Sequence, residues 1–434
     1  MDDDDPLLLA SSGRHGDACQ FRTPGGSIVD IVDSGDLILQ ISDSGCGTTH
    51  SYRVSSTRLK RASAYFEKLL DPQKFNEGAT VNARLTTLHE QYPDISQVPA
   101  TDLPVIRVVD VGQFPKGACC ESIIERFLNI LHITASSSPN LRIPSTYDIA
   151  LLAIVADRFS SLSPVSVYVK REGWHMPKQD AKEIKRNIPA RDGETFWRQR
   201  ILVGALLNVE TWVAQYTSRL VVEGSRKWIQ RDDSEGDEGE ALWWNLPGGL
   251  EEELEYRRAC VVETINSLQN HFLTLYTSKQ RQCKLGYDSS PQCDSFQLGE
   301  MVRFFTRKGT LRLQGLLTCK EEAQPWPGSA CYILAALRQC PSYQIDQNHS
   351  HCGLRTRLLP ILDQLEKLCS QAGVCHRCWK SDRKEHSWSE NPSGGEWRFN
   401  IAHAFGRAGS TCRRDHLAAK GMFTAEERAW TPAP

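Results

Sequence analysis

Cys375-His376-Arg377-Cys378 places two thiols on one tight turn, and Cys412 and His416 form a second pair, with 33 residues between Cys378 and Cys412. Thiolate and imidazole are the ligands that tetrahedral zinc prefers, so these four side chains would fill its coordination sphere. With every position taken by protein, such an ion is structural and leaves no open site for substrate. His386 and His403 lie between the two pairs, and His349-x-His351-Cys352 forms another dense group upstream. Eleven of the fifteen cysteines fall from Cys260 onward, which favours a metal. The two pairs stand farther apart than in the common zinc fingers. The competing expectation is a set of buried thiols acting as small hydrophobes beside surface histidines.

Other chemistry is thinner. Leu246-Pro247-Gly248-Gly249 followed by Glu251, Glu252 and Glu253 resembles the start of a Nudix box, and Glu255 sits where that box needs its first Glu. The Arg-Glu required next falls on Glu263-Thr264 instead, so an acidic helix start explains the stretch better. Gly45-x-Gly47 lacks the third glycine of a dinucleotide fingerprint, and neither a phosphate-binding P-loop nor a G-x-S-x-G elbow is present. Cys119-Cys120 opens a helical stretch whose dipole could activate a thiol, with packing as the plainer role. Trp243-Trp244, Trp379, Trp388 and Trp397 read as anchors of loops onto helices.

The 434 residues suffice for two or three domains, and 40% hydrophobic with 24% charged residues is a globular composition. A net charge of -2 offers nucleic acid no bulk attraction. Met1-Asp2-Asp3-Asp4-Asp5-Pro6 lacks the basic start of a secretory signal, and no apolar run approaches the ~20 residues of a membrane span. A cytoplasmic or nuclear protein with free thiols and no membrane partner is expected, so the Asn348-His349-Ser350 sequon carries no weight.

The elements that would hold these residues divide the chain. Residues 1–26 are polar and aperiodic and read as a disordered tail. Ser27–Ile41 reads as one or two strands with a turn at Ser34-Gly35, and Tyr52-Arg53-Val54 as a returning hairpin strand. The spacing of Leu59, Ala62, Tyr65, Phe66, Leu69 and Leu70 predicts one helix, stopped at Asp71-Pro72. Residues 76–104 are expected to form a loop with a short helix, and Val105–Val111 another strand. Helices follow over Glu121–His132, Ser145–Phe159 with Ser145 as N-cap, and from Ser163 through Val169.

The runs 35–41, 52–70 and 105–111, with the helical stretch after them, resemble a BTB/POZ domain of the kind common in fungal proteins. The likeness spans residues 28–171, and its signature is Asp36, Val54, Leu59, Ser63, Tyr65, Phe66 and Leu69. It implies an α+β interaction domain, a small sheet capped by helices, with no catalytic site and with self-association or recruitment of another protein as its work. Many animal members carry His-Lys where this chain has Ser55-Ser56, and a leading amphipathic helix that is missing here. That leaves Ile28–Val32 as the strand available for exchange or edge pairing.

Residues 172–230 read as a charged connector followed by one or two helices, and 231–240 as an acidic linker in which Ser234 could be phosphorylated. Residues 241–434 read as a mostly α-helical, Cys/His-rich region, with a long helix from Glu251 to about Gln282 and further helices over 296–305, 330–340 and 354–369. The expectation is a non-enzymatic interaction protein with unidentified protein partners and a possible homodimer. The alternative is a zinc-stabilised regulatory or nucleic-acid-binding protein acting through its C-terminal Cys/His residues.

Overall fold

The computed structural model describes residues 28–43, 48–115, 118, 120–133, 144–175, 190–229, 241–283, 285, 290–311, 326, 328–392, 395–398 and 416–431. The tail over 1–26, the linker over 231–240, Cys119, His403 and Cys412 lie outside them. The fold is α+β, rich in helix, with a four-stranded sheet and a separate pair of short parallel strands. Contacts divide the chain into two compact units, one of residues 1–111 and 116–137, the other of 112–115 and 138–434.

In the first unit, β1 (Val29–Asp30), β2 (Leu37–Asp43) and β3 (Thr48–Val54) are followed by two short helices, α1 (Ser56–Ala62) and α2 (Ala64–Leu69). Then come α3 (Asn76–Gln91), β4 (Val105–Val108) and α4 (Glu121–His132). Strand order is β1-β3-β2-β4: β2 and β3 form an antiparallel hairpin, while β4 runs parallel to β2 and β1 parallel to β3. Leu37, Leu39 and Ile41 alternate onto one buried face. Tyr52, opposite Leu39, donates from its hydroxyl to the Glu121 carbonyl at the start of α4.

The other face is also covered. Ile38 packs with Leu88, Val98 and Leu103, so the segment 76–104, expected as a loop with a short helix, carries a 16-residue helix and forms a second layer over the sheet. Its apolar residues are too sparse to show a stripe in the sequence, and only Gly78, Val81 and Leu88 of α3 are buried. Arg53 ties this layer down, donating to the carbonyls of Gly35, Ile95 and Val98.

Of the signature residues, Val54, Leu59 and Phe66 are fully buried. Asp36 accepts bonds of 2.6 Å from both the backbone N–H and the hydroxyl of Ser56, and so caps α1 from the far side of the hairpin. The single helix expected over this stretch is two, because Ser63 leaves helical geometry and its hydroxyl caps α2 at Phe66 N–H. That break resets the helical phase. Leu70 therefore occupies the core, Leu69 is half-buried, and Tyr65 lies half-buried edge-on against Phe66.

The second unit begins with α5 (Thr146–Arg158), opened by a reciprocal capping box between Ser145 and Asp148, and α6 (Leu162–Arg171). The sequence reading carried the first domain to residue 171. Compactness divides the chain earlier, because both helices pack on α7 (Ala190–Leu207). After α8 (Glu210–Glu223) and α9 (Arg226–Ile229) comes the long α10 (Leu250–Thr277), then α11 (Ser290–Arg307), α12 (Ala330–Arg338) and α13 (Leu354–Cys369). The chain ends in α14 (His376–Ser381), α15 (Arg383–His386), β5 (Glu396–Arg398), α16 (His416–Phe423) and β6 (Glu427–Ala429), with β5 parallel to β6.

Three buried ion pairs, made by two arginines, organise this unit. Arg198, fully buried, forks onto both oxygens of Glu251 at 2.8 and 2.9 Å and also binds Glu194 at 2.9 Å. Burial alone would raise both carboxyls. Arg198, helped by Ser225 at Glu194 and by Trp228 at Glu251, outweighs it and holds them below the ordinary carboxylate value. Glu253 pairs with Arg257 at 2.7 Å. Glu251 and Glu253 at the start of α10 are thus engaged with arginines, while Glu252 and Glu255 are exposed. Trp243 is buried edge-on to Tyr147, an anchor as expected.

Candidate metal centre

Arg257 of α10 builds the site from beneath. Its guanidinium donates to the carbonyls of Ala372 and Gly373 at 3.0 and 2.8 Å and to that of His386 at 3.1 Å. One buried side chain therefore fixes the chain entering the Cys375 turn and the end of α15. Glu253 holds the arginine and also accepts from the Trp388 N–H and the hydroxyls of Ser387 and Ser389. The Arg257 cation lies 4.6 Å over the Trp388 ring, which also stacks with Phe423 at the end of α16.

The Cys375 turn is pressed onto α8. A Cβ added to Gly373 would stand 2.5 Å from the Ala214 carbonyl oxygen, so only glycine admits this approach. Val374 N–H donates to the Thr217 hydroxyl, and the Ser218 hydroxyl donates to the carbonyls of Cys369 and Ser370. Cys375 then N-caps α14 and Cys378 lies three residues on, which puts both thiols on one face of its first turn. From the opposite side α16 brings His416, with Lys420 donating to the Glu385 carbonyl.

One ligand atom each of Cys375, Cys378 and His416 lies within 4.8 Å of the others, a set able to hold a metal ion. Of the four ligands read from the sequence, three come together, and Cys412 lies outside the described residues. His386 lines the same small cavity, its ring 5.4 Å from that of His416 and its Nδ1 buried with no hydrogen-bond partner. Arg257 and Lys420 also line it.

A second group was missed in the sequence. Cys283, Cys293 and Cys352, all buried, have their sulfurs within 4.8 Å of one another. Their separation along the chain hides them, although Cys352 belongs to the dense group noted at 349–352, whose His351 is exposed. Elsewhere burial gives the thiols the inert character of packing residues, pushing Cys260 and Cys340 up to about 11. Cys120 is buried at the start of α4. No described cysteine is in a disulfide. No helix among the described residues is long and apolar enough to cross a membrane. No family model, no curated protein and no solved structure matches the chain.

Proposed function

We propose that the chain is a non-enzymatic protein-interaction protein. Its first unit acts as a BTB/POZ-like docking module, and zinc on Cys375, Cys378, Cys412 and His416 braces its second unit. The element order supports the first part: a hairpin, two short helices, a strand returning parallel to the first hairpin strand, and an amphipathic helix over the sheet. The observation that carries the docking role is the β4 edge. This outermost strand buries Ile106 and Val108 but leaves Val105 49% exposed, and Val109 just beyond it is 70% exposed. Apolar side chains on a strand edge offer a partner backbone pairing and side-chain contact together. The proposed setting is the cytosol or nucleus, where thiolate–metal centres and unpaired cysteines persist.

Sedimentation equilibrium of the full chain tests this reading. Self-association is expected, and Val105→Lys with Val109→Lys should return the mass to that of a monomer while leaving the circular dichroism unchanged. A strict monomer at every concentration reached would remove self-association. Recruitment is then read by proximity labelling in cells, where the same double variant should lose the labelled proteins that the unaltered chain marks.

A further inference from the structure

We propose that Cys283, Cys293, His349 and Cys352 form a second zinc site, structural and closed, independent of the one at Cys375. The three thiols make a buried cluster by themselves, with no aliphatic or aromatic residue completing it among the described residues. Apolar packing does not assemble a core of sulfurs alone. The Cys283 and Cys352 sulfurs are 3.7 Å apart. Two thiolates about 2.3 Å from one tetrahedral ion are separated by roughly 3.8 Å, whereas a disulfide needs about 2.05 Å.

His349 supplies the fourth ligand. Its ring is buried, and Nδ1 lies 2.8 Å from the Asp346 carboxylate. With Nδ1–H donating there, Nε2 carries the lone pair, and the buried Nε2 faces the Cys283 thiol without a conventional hydrogen bond. An imidazole held by a carboxylate on one nitrogen and bare on the other is the arrangement found at metal-bound histidines. His349 stands outside the 4.8 Å set of the three sulfurs, so an ion among them would draw it inward. Three sulfurs and one imidazole, with no carboxylate among the ligands, select zinc over the harder divalent cations.

The surrounding backbone is already pinned. Asp346 accepts from the N–H groups of Asn348 and His349, and Cys352 N–H donates to the His349 carbonyl. Tyr276 of α10 holds the Cys352 carbonyl, and Arg357 of α13 holds the Gln282 carbonyl beside Cys283. Gln282 N–H in turn donates to Asp294, next to Cys293 in α11. An ion here would join the end of α10, the start of α11 and the turn that leads into α13.

The test is a metal count on the full chain purified without chelator, followed by chelation with cysteine alkylation and peptide mapping. Two zinc ions per chain are expected. Cys283, Cys293 and Cys352 should become labelled as one equivalent leaves, a readout on the unaltered protein that needs no variant to fold. Cys352→Ser should lower the count by one, and Cys375→Ser should remove the other ion, so each site fails or holds separately. His349→Asn should weaken retention of the second ion at least tenfold in competition with a chelator. A disulfide among the three cysteines, labelling of them that chelation does not change, or no metal left in the Cys375→Ser chain would overturn the assignment.

Discussion

At the scale of single residues, His132 shows how position sets chemistry. Its Nδ1–H donates to the Leu128 carbonyl at 2.7 Å, and its Nε2 accepts the Ser55 N–H at 3.1 Å, an arrangement only the neutral ring can make. Burial depresses its pKa below the ordinary 6.5, outweighing the bond to the Leu128 carbonyl, and the Ser55 N–H, which needs the Nε2 lone pair, favours the same neutral form. Below that value the unfolded chain takes up the proton first. The first unit therefore loses stability as pH falls from about 6.5, by at most about 1.4 kcal/mol per pH unit for one proton. Urea unfolding followed at pH 7 and pH 5 should show that slope, and His132→Leu should flatten it; an unchanged slope in the variant would assign it elsewhere. Much at this scale was legible: Val54, Leu59 and Phe66, and the candidate ligands Cys375, Cys378 and His416 that the fold brings together, stand out by type and spacing. Cys283 and Cys293 do not, because neither has a ligand neighbour in sequence.

Elements were legible where one face is apolar. Helix α4 and the β2–β3 hairpin follow from periodicity, and α5 from its capping serine. Helix α3 escaped because it covers a sheet with few residues, and the break between α1 and α2 escaped because Ser63 interrupts an apolar pattern that runs on through it. The strands β5 and β6, three residues each, are too short for an alternation to register. One glycine ties element packing to the candidate metal centre. Gly373→Ala places a methyl group 2.5 Å from the Ala214 carbonyl and 2.7 Å from the Ser218 N–H, both backbone. Neither can move without displacing α8, so a loss of about 1–3 kcal/mol is expected. Thermal melting together with chelator competition would read it: the variant should melt lower and release the Cys375-bound ion faster, and unaltered release would separate the turn from the site.

At the scale of the whole molecule, the division into two compact units predicts where metal matters. Both thiol groups belong to the second. Hydrogen exchange of the full chain before and after chelation should show protection lost around 346–352, 372–386 and 416–423 and retained in β2 and β3. Equal loss in the hairpin would contradict it. An ion at a thousand times its dissociation constant stabilises its unit by roughly 4 kcal/mol, enough for a visible fall in melting temperature. The grip of Arg257 on three carbonyls around the Cys375 turn gives that loss a particular character. Much of the seat is set by a salt-bridged side chain rather than by the ion. A stripped protein should loosen this corner without unfolding it and reload when metal returns, the ion tightening a seat already built instead of nucleating it.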